Sequence, residues 1–129
     1  MIPLSVPNLN GNENKYVKDC IDTGWVSTAG KYVSDFEKMF SEYIKKESAV
    51  STVNGTASLH IALNMAGVSP NEIVLMPNIT FVASANAISY TGATPILIDI
   101  DKVTWQMDLE ILENFLNNDC FQDKSGILI

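Results

Sequence analysis

Basic residues are scarce in this chain: Lys and Arg together number 8 against 15 acids, for a formal charge of −7. No Lys/Arg run occurs, so the clustered cations that reward contact with a nucleic-acid backbone are missing. Nucleic acid is not an expected partner. An anion remains admissible, because a helix N-terminus supplies local positive potential whatever the net charge. Histidine occurs once, at His60, with no Cys or acid cluster at ligand spacing. A zinc site or a Ser–His nucleophile therefore lacks support, and a satisfied helical histidine is expected instead. No metal site is expected. Cys20 and Cys120 are the two cysteines, far apart and in or beside predicted helices, so the expectation is a pair of reduced thiols. Residues 1–7 lack the basic start and apolar core of a secretory leader. No apolar run reaches transmembrane length. The expected location is the cytoplasm, away from the membrane.

What is present points to a buried sheet. The 129 residues are 47% hydrophobic and 18% charged, enough for one domain with a real core. The chain is organised around residues 49–66, AVSTVNGTASLHIALNMA. Residues 47–53 are rich in β-branched side chains and end in a turn signal, which predicts a strand. Leu59, Ala62, Leu63 and Ala66 follow at helical spacing, with Ile61 and Met65 on other faces. That pattern predicts a helix buried on two sides. Between strand and helix lies Asn54-Gly55-Thr56-Ala57-Ser58, a glycine with two hydroxyls at a helix start. Such a turn aims unpaired N–H groups outward, where a phosphate docks. An ordinary capped turn satisfies the same residues, and from this stretch alone that plainer reading is the favoured one.

The flanks carry their own signals. Residues 1–9, with Pro3 and Pro7, read as an extended arm. Asn10 and Glu13 form a capping-box pattern for a helix to Asp22 that buries Val17, Cys20 and Ile21 and ends at Gly24. The loop Gly24–Lys31 ends in Gly-Lys but is not a Walker loop. Five residues separate its glycines, Tyr32 stands where Ser or Thr must bind magnesium, and a helix precedes it. Trp25 in that loop lines a ligand pocket or packs on the surface. Ser34 and Glu37 form a second capping box, and Phe36, Met39, Phe40, Tyr43 and Ile44 make a core-facing stripe after it. Strands are predicted over residues 72–76 and 94–98. A helix beginning near Thr80 and broken by Gly92 lies between them. Asp108 caps a helix with Leu109, Leu112, Phe115 and Leu116 inward, and residues 126–129 open a further strand in which the chain stops. Strands alternate with helices without hairpin signals. The expected fold class is α/β, a mostly parallel sheet with helices on both faces. Ligands of such sheets bind beyond the carboxyl ends of the strands, where residues 54–58, 77–81 and 99–105 gather.

Four stretches, in this order and spacing, resemble the DegT/StrS-type pyridoxal-phosphate-dependent sugar aminotransferases. They are GWVSTAGKYVSDFE from Gly24, NGTASLHIAL from Asn54, PNITFVASANAISYTGATPILIDID from Pro77 and DLEILE from Asp108. The resemblance implies an aspartate-aminotransferase-like (type I) fold, with residues 1–129 as the N-terminal part of its large domain. It implies pyridoxal phosphate as cofactor, with Gly55, Thr56 and Ala57 at its phosphate and Phe81 against its ring. Trp25, Ser27 and Thr28 match a segment near the mouth of the active site. The implied reaction moves an amino group from an amino acid, glutamate by analogy, to a keto-sugar nucleotide in polysaccharide or modified-sugar synthesis, on a homodimer.

The catalytic residues of the resemblance are not matched. The family's Schiff-base lysine and the aspartate at the ring nitrogen lie downstream of residue 129, and none of the eight lysines here stands in a matching context. The chain alone is therefore expected to be inactive and poorly soluble, since a parallel sheet cut within a strand exposes an edge and apolar faces. The turn Pro70-Asn71-Glu72 is one residue shorter than the family's usual form, which affects only a surface turn. Two other readings stand beside this one. Asp99-Ile100-Asp101 after an apolar strand resembles the metal motif of a sugar-nucleotide transferase, because two acids one residue apart can share a divalent cation. A truncated module without chemistry of its own is the second.

Overall fold

Two adjacent strands tied by a helical crossover set the geometry of the second half of the chain. The computed structural model describes residues 2–123 and 126–128, with side chains described through Phe121. The chain divides into two units, Met1–Ser51 and Thr52–Ile129.

The first unit begins with an exposed arm that is neither helix nor strand and holds two helices, α1 (Glu13–Thr23) and α2 (Lys31–Tyr43). Helix α1 starts later than its capping-box pattern predicts. The Glu13 carboxylate accepts the N–H of Gly11 at 2.9 Å, and Asn12, without a side-chain cap bond, stands at the N-cap. Gly24 in the left-handed region ends the helix, as its position predicts. Helix α2 starts at Lys31 behind Gly30, so Ser34 lies within the helix and caps nothing. Its predicted box partner, Glu37, is used elsewhere: Oε1 accepts the N–H and the hydroxyl of Ser51 at 2.8 and 2.9 Å. Those two bonds hold the Glu37 carboxyl below its ordinary value. Tyr32 joins the two helices. Its hydroxyl donates to Asp19 at 2.9 Å, which pushes the phenol up, and its ring lies 4.8 Å from that of Tyr16. The expected burial is not found. Val17 and Ile21 are exposed and Cys20 is half-buried, and the α2 stripe of Phe36, Met39, Phe40, Tyr43 and Ile44 is exposed throughout.

The predicted strand over residues 47–53 is not formed: the segment is irregular, bent at Glu47 and Val53, with no ladder partner among the described residues. A strand is held by its neighbour's hydrogen bonds, and here the Ser51 amide is taken by a side chain instead.

The second unit contains α3 (Gly55–Met65), β1 (Ile73–Pro77), α4 (Ala83–Tyr90), β2 (Thr94–Ile98), α5 (Leu109–Asn118), β3 (Phe121–Asp123) and β4 (Gly126–Leu128). Strands β1 and β2 pair in parallel, Ile73 opposite Thr94 through Pro77 opposite Ile98, with α4 as the crossover. The α/β class with a parallel sheet is therefore correct. Helix α3 ends in a Schellman motif, in which the Val68 N–H donates to Leu63 O and the Gly67 N–H to Asn64 O. That motif turns Leu63 and Val68 onto the core of Met76, Ile88 and Ala93. Helix α4 packs on α3, and its alanines permit close approach; Ala87 is fully buried. Leu59, Ile61 and Met65 remain exposed, so α3 is covered on one side and not on two.

One boundary, one buried face and one pairing differ from the sequence pattern. Helix α4 starts at Ala83, because Phe81 O accepts the Ser84 N–H in a turn that precedes it. In α5, Asp108 caps as expected, accepting the N–H groups of Glu110 and Ile111. Only Leu112 and Phe115 of the four inward positions are half-buried, while Leu109 and Leu116 are exposed. Strands β3 and β4 are antiparallel, a hairpin that no glycine–asparagine turn signal announced. Of the strand predicted over residues 126–129, Ile129 lies outside the described residues.

Gly92 and Gly67 separate two causes of glycine dependence. Both have positive φ, at 82° and 92°. A Cβ on Gly92 would meet Pro70 Cβ at 3.0 Å and its Cα at 3.2 Å, whereas one on Gly67 meets nothing within 4 Å. Gly67→Ala should cost about 1 kcal/mol from backbone strain alone, and Gly92→Ala about 2–3 kcal/mol because overlap adds to it. Urea denaturation of the two variants checks this; equal midpoints would contradict it.

Candidate functional site

The N-terminal turn of α3 is built by four short-range contacts. Asn54, in extended backbone, takes the N-cap, and its Oδ1 accepts the Ala57 N–H at 2.9 Å. Its carbonyl accepts the Ser58 N–H at 3.1 Å and the Thr52 hydroxyl at 3.0 Å. The Thr52 and Ser58 hydroxyls lie 2.5 Å apart. With these bonds made, the N–H groups of Gly55 and Thr56 and the Thr56 hydroxyl have no partner among the described residues. The Ala57 N–H is already engaged by Asn54.

Gly55 does not owe its place to strain. Its φ is not in the left-handed region, and a Cβ there would meet nothing within 4 Å. What the missing side chain does is keep clear the space beside two unpartnered amides. The turn also carries no charge of its own. Helices α1 and α5 have an acid in the first turn, Glu13 and Glu110, whereas α3, like α2 and α4, has none, and its cap is a neutral amide. In a chain of net charge −7 this end of α3 leaves its positive dipole uncompensated. The arrangement suits a compact anion with several acceptor oxygens, such as a phosphate monoester.

Phe81 belongs to the same unit. It sits on the loop between β1 and α4 and is 79% exposed, a free aromatic face. Because β1 and β2 are parallel, that loop and residues 99–105 leave the same edge of the sheet. The Asn78 N–H donates to Ile98 O at 2.8 Å and ties the first of these loops to the end of β2.

The two acids of the possible metal motif are engaged within their loop. Asp99 Oδ1 accepts the Ile100 N–H at 2.8 Å. Asp101 Oδ1 accepts from the Val103 N–H, the Thr104 N–H and the Thr104 hydroxyl at 3.2, 2.7 and 2.7 Å. The Thr104 hydroxyl, then the Thr104 amide, holds the Asp101 carboxyl below its ordinary value. The turn closes with Trp105 in the left-handed region, its N–H donating to Asp101 O. Among the described residues no three His, Cys, Asp or Glu side chains come together as a metal site.

Trp25, Ser27 and Thr28 lie in the first unit, on the loop between α1 and α2. The Val26 N–H donates to Gly24 O and the Gly30 N–H to Ser27 O, and all three residues are exposed. So the sequence-derived candidates fall into two groups. Gly55, Thr56 and Ala57 share one turn with Phe81 in the same unit, and Trp25, Ser27 and Thr28 belong to the other. His60 lies within α3, edge-on to Tyr90 with ring centroids 5.7 Å apart. Thr52 and Ser58 as a pair were not foreseen. They are six residues apart where the chain enters α3, and no local spacing rule joins such positions. The capping role of Asn54 was within reach, since Asn is a preferred N-cap.

Two outcomes follow from these contacts. Asn54→Ala removes the cap and should cost about 1 kcal/mol of stability, measured by urea denaturation. Asp101 titrates with a depressed folded-state pKa, so its stabilisation is complete above the ordinary carboxylate range and drains away as pH falls through the folded value. Exchange protection of the Val103 and Thr104 amides should fall with acidification in the native protein, and Asp101→Asn should flatten that dependence. Protection in the native protein that ignores pH would contradict it.

No helix among the described residues is long and apolar enough to cross a membrane. The sequence pattern of the DegT/DnrJ/EryC1/StrS aminotransferase family matches residues 7–128. A GDP-perosamine synthase of Escherichia coli O157:H7 is 44% identical over 117 residues, 91% of this chain and 32% of that protein. The spore coat polysaccharide biosynthesis protein SpsC of Bacillus subtilis is 37% identical over 112 residues, 87% of this chain and 28% of that protein. Among solved structures, the putative sugar aminotransferase Spr1654 of Streptococcus pneumoniae in its PLP form superposes with a TM-score of 0.78 at 33% identity. That match covers 88% of this chain and 29% of that one. The chain thus spans about a third of the length of the relatives it matches. With the family pattern running from residue 7 to residue 128 and the parallel sheet of an aminotransferase-like fold beneath it, the chain belongs to the DegT/DnrJ/EryC1/StrS aminotransferase family.

Proposed function

We propose that this chain is the N-terminal part of the large domain of a pyridoxal-phosphate-dependent sugar aminotransferase, and that both of its units belong to that one domain. The whole protein would move an amino group from an amino acid, glutamate, to a keto-sugar nucleotide. Its product would enter cell-surface polysaccharide or modified-sugar synthesis, in the cytoplasm and on a homodimer. The observation that carries the reading is the α3 turn, where two amides and one hydroxyl stand without partners at an uncompensated helix N-terminus. Support comes from the family membership, from relatives named for perosamine and polysaccharide synthesis, and from a related structure with the cofactor bound.

In this reading the Gly55 and Thr56 amides and the Thr56 hydroxyl hold the cofactor phosphate, and the Ala57 amide acts through Asn54 by keeping the turn in shape. Phe81 offers its exposed ring to the flat pyridine. Pyridoxal phosphate, when bound, supplies the electron-accepting ring on which amino transfer depends. The lysine that carries it and the acid at the ring nitrogen are assigned to sequence beyond residue 129. Trp25, Ser27 and Thr28 would contribute to the sugar-nucleotide side. The exposed apolar stripe of α2 and the outer face of α3 would be covered by the rest of the domain or by the second subunit. No specific observation favours the metal-dependent transferase: among the described residues Asp99 and Asp101 have no third His, Cys, Asp or Glu beside them to complete a metal site.

Titration of the whole protein in its apo form with pyridoxal phosphate, followed by its visible absorption, tests this. Thr56→Val removes one charged hydrogen bond and should raise the dissociation constant about ten- to a hundredfold. Unchanged affinity would remove the turn from the site.

A further inference from the structure

We propose that Thr52 is a positioning residue for the phosphate turn, with Ser58 as its counterpart; this rests on the reading of that turn given above. Thr52 Oγ1 has a single proton. It lies 3.0 Å from Asn54 O, which can only accept, so Thr52 donates there. The short contact to Ser58 Oγ at 2.5 Å then requires Ser58 to be the donor. That consumes the Ser58 proton within the protein and leaves its 3.3 Å approach to Asn54 O as a minor contact.

Two consequences follow for the site. First, Asn54 O has both lone pairs filled, by the Ser58 N–H at 3.1 Å and by Thr52, so the peptide between Asn54 and Gly55 is fixed from its carbonyl side. The N–H of that same peptide is the Gly55 amide, one of the two unpartnered donors. Thr52 thus sets the direction of a donor it does not touch. Second, of the two hydroxyls at the turn, Ser58 has no proton left for an anion, and Thr56 alone can give one. Thr52 touches no ligand in this scheme. It holds the donors pre-aimed, which is worth binding energy because the ligand need not order them.

Three substitutions separate this from a general structural role. Thr52→Val keeps the shape and removes the hydroxyl, Thr52→Ser restores it, and Ser58→Ala removes the other end of the pair. Each apo protein is titrated with pyridoxal phosphate, the 31P resonance of the bound phosphate is recorded, and the apo melting temperature is taken alongside. Thr52→Val should raise the dissociation constant about three- to tenfold and shift the 31P resonance, and Thr52→Ser should recover both. Ser58→Ala should move the same two readouts in the same direction, by less. Wild-type affinity and resonance in Thr52→Val, with Thr56→Val weakened, would overturn the role of Thr52 and leave the phosphate turn intact. A lowered melting temperature without a change in the 31P resonance would likewise overturn it, as a purely structural effect. Wild-type values in both Thr52→Val and Thr56→Val would remove the turn itself from the site, and this inference with it.

Discussion

The parallel pairing of Ile73–Pro77 with Thr94–Ile98 is the constraint on which the second unit depends. Parallel neighbours cannot be joined by a tight turn, so the chain must cross back over the sheet, and α4 is that crossing. The crossing helix must lie close, and the small side chains of α4 meet that demand. Ile88 then seals the sheet beneath α4, while Leu63 and Val68 bring α3 onto the same core. The same pairing sends both strand ends out at one edge. The Asn78-to-Ile98 hydrogen bond continues the ladder one step into the loop region and stiffens that edge.

Electrostatics at the α3 turn runs against the composition of the whole. A strongly acidic chain would be expected to repel a phosphate, but net charge is a long-range quantity and is screened over about 10 Å at ordinary salt. Within the turn the relevant charges are the N–H dipoles, and no carboxylate stands in the first turn to cancel them. The cap is a neutral asparagine where Asp108 caps α5. An aspartate at residue 54 would cap as well and would place a negative charge beside any bound anion.

Much of the second unit was legible in the sequence, and much of the packing of the first was not. The strand over Thr94–Ile98 and the Asp108 cap follow from local chemistry, and the structure has them where the pattern puts them. Periodicity told which residues of α2 share a face but not whether anything covers that face. Phe36 and Tyr43 are on one stripe and in solvent. The capping boxes failed for a related reason. A Ser–Glu spacing permits a reciprocal cap, but Glu37 has a stronger claim in Ser51, fourteen residues away. At the candidate site, the glycine and the hydroxyls were legible as residue types. The assignment of their protons was not, because it depends on the Thr52–Ser58 approach across the corner.

The grip of Glu37 on Ser51 has a bearing on how residues 47–53 could ever join a sheet. Their composition is that of a strand, and an incoming neighbour would ask for the Ser51 amide. That amide is occupied by a carboxylate whose own bonds favour its charged form. Pairing at this position is therefore a competition between a backbone carbonyl and a side-chain anion for one proton donor. Protonating Glu37 weakens the incumbent. As the chain stands, the Ser51 amide is withheld from any such ladder by a side chain of the same helix–loop unit.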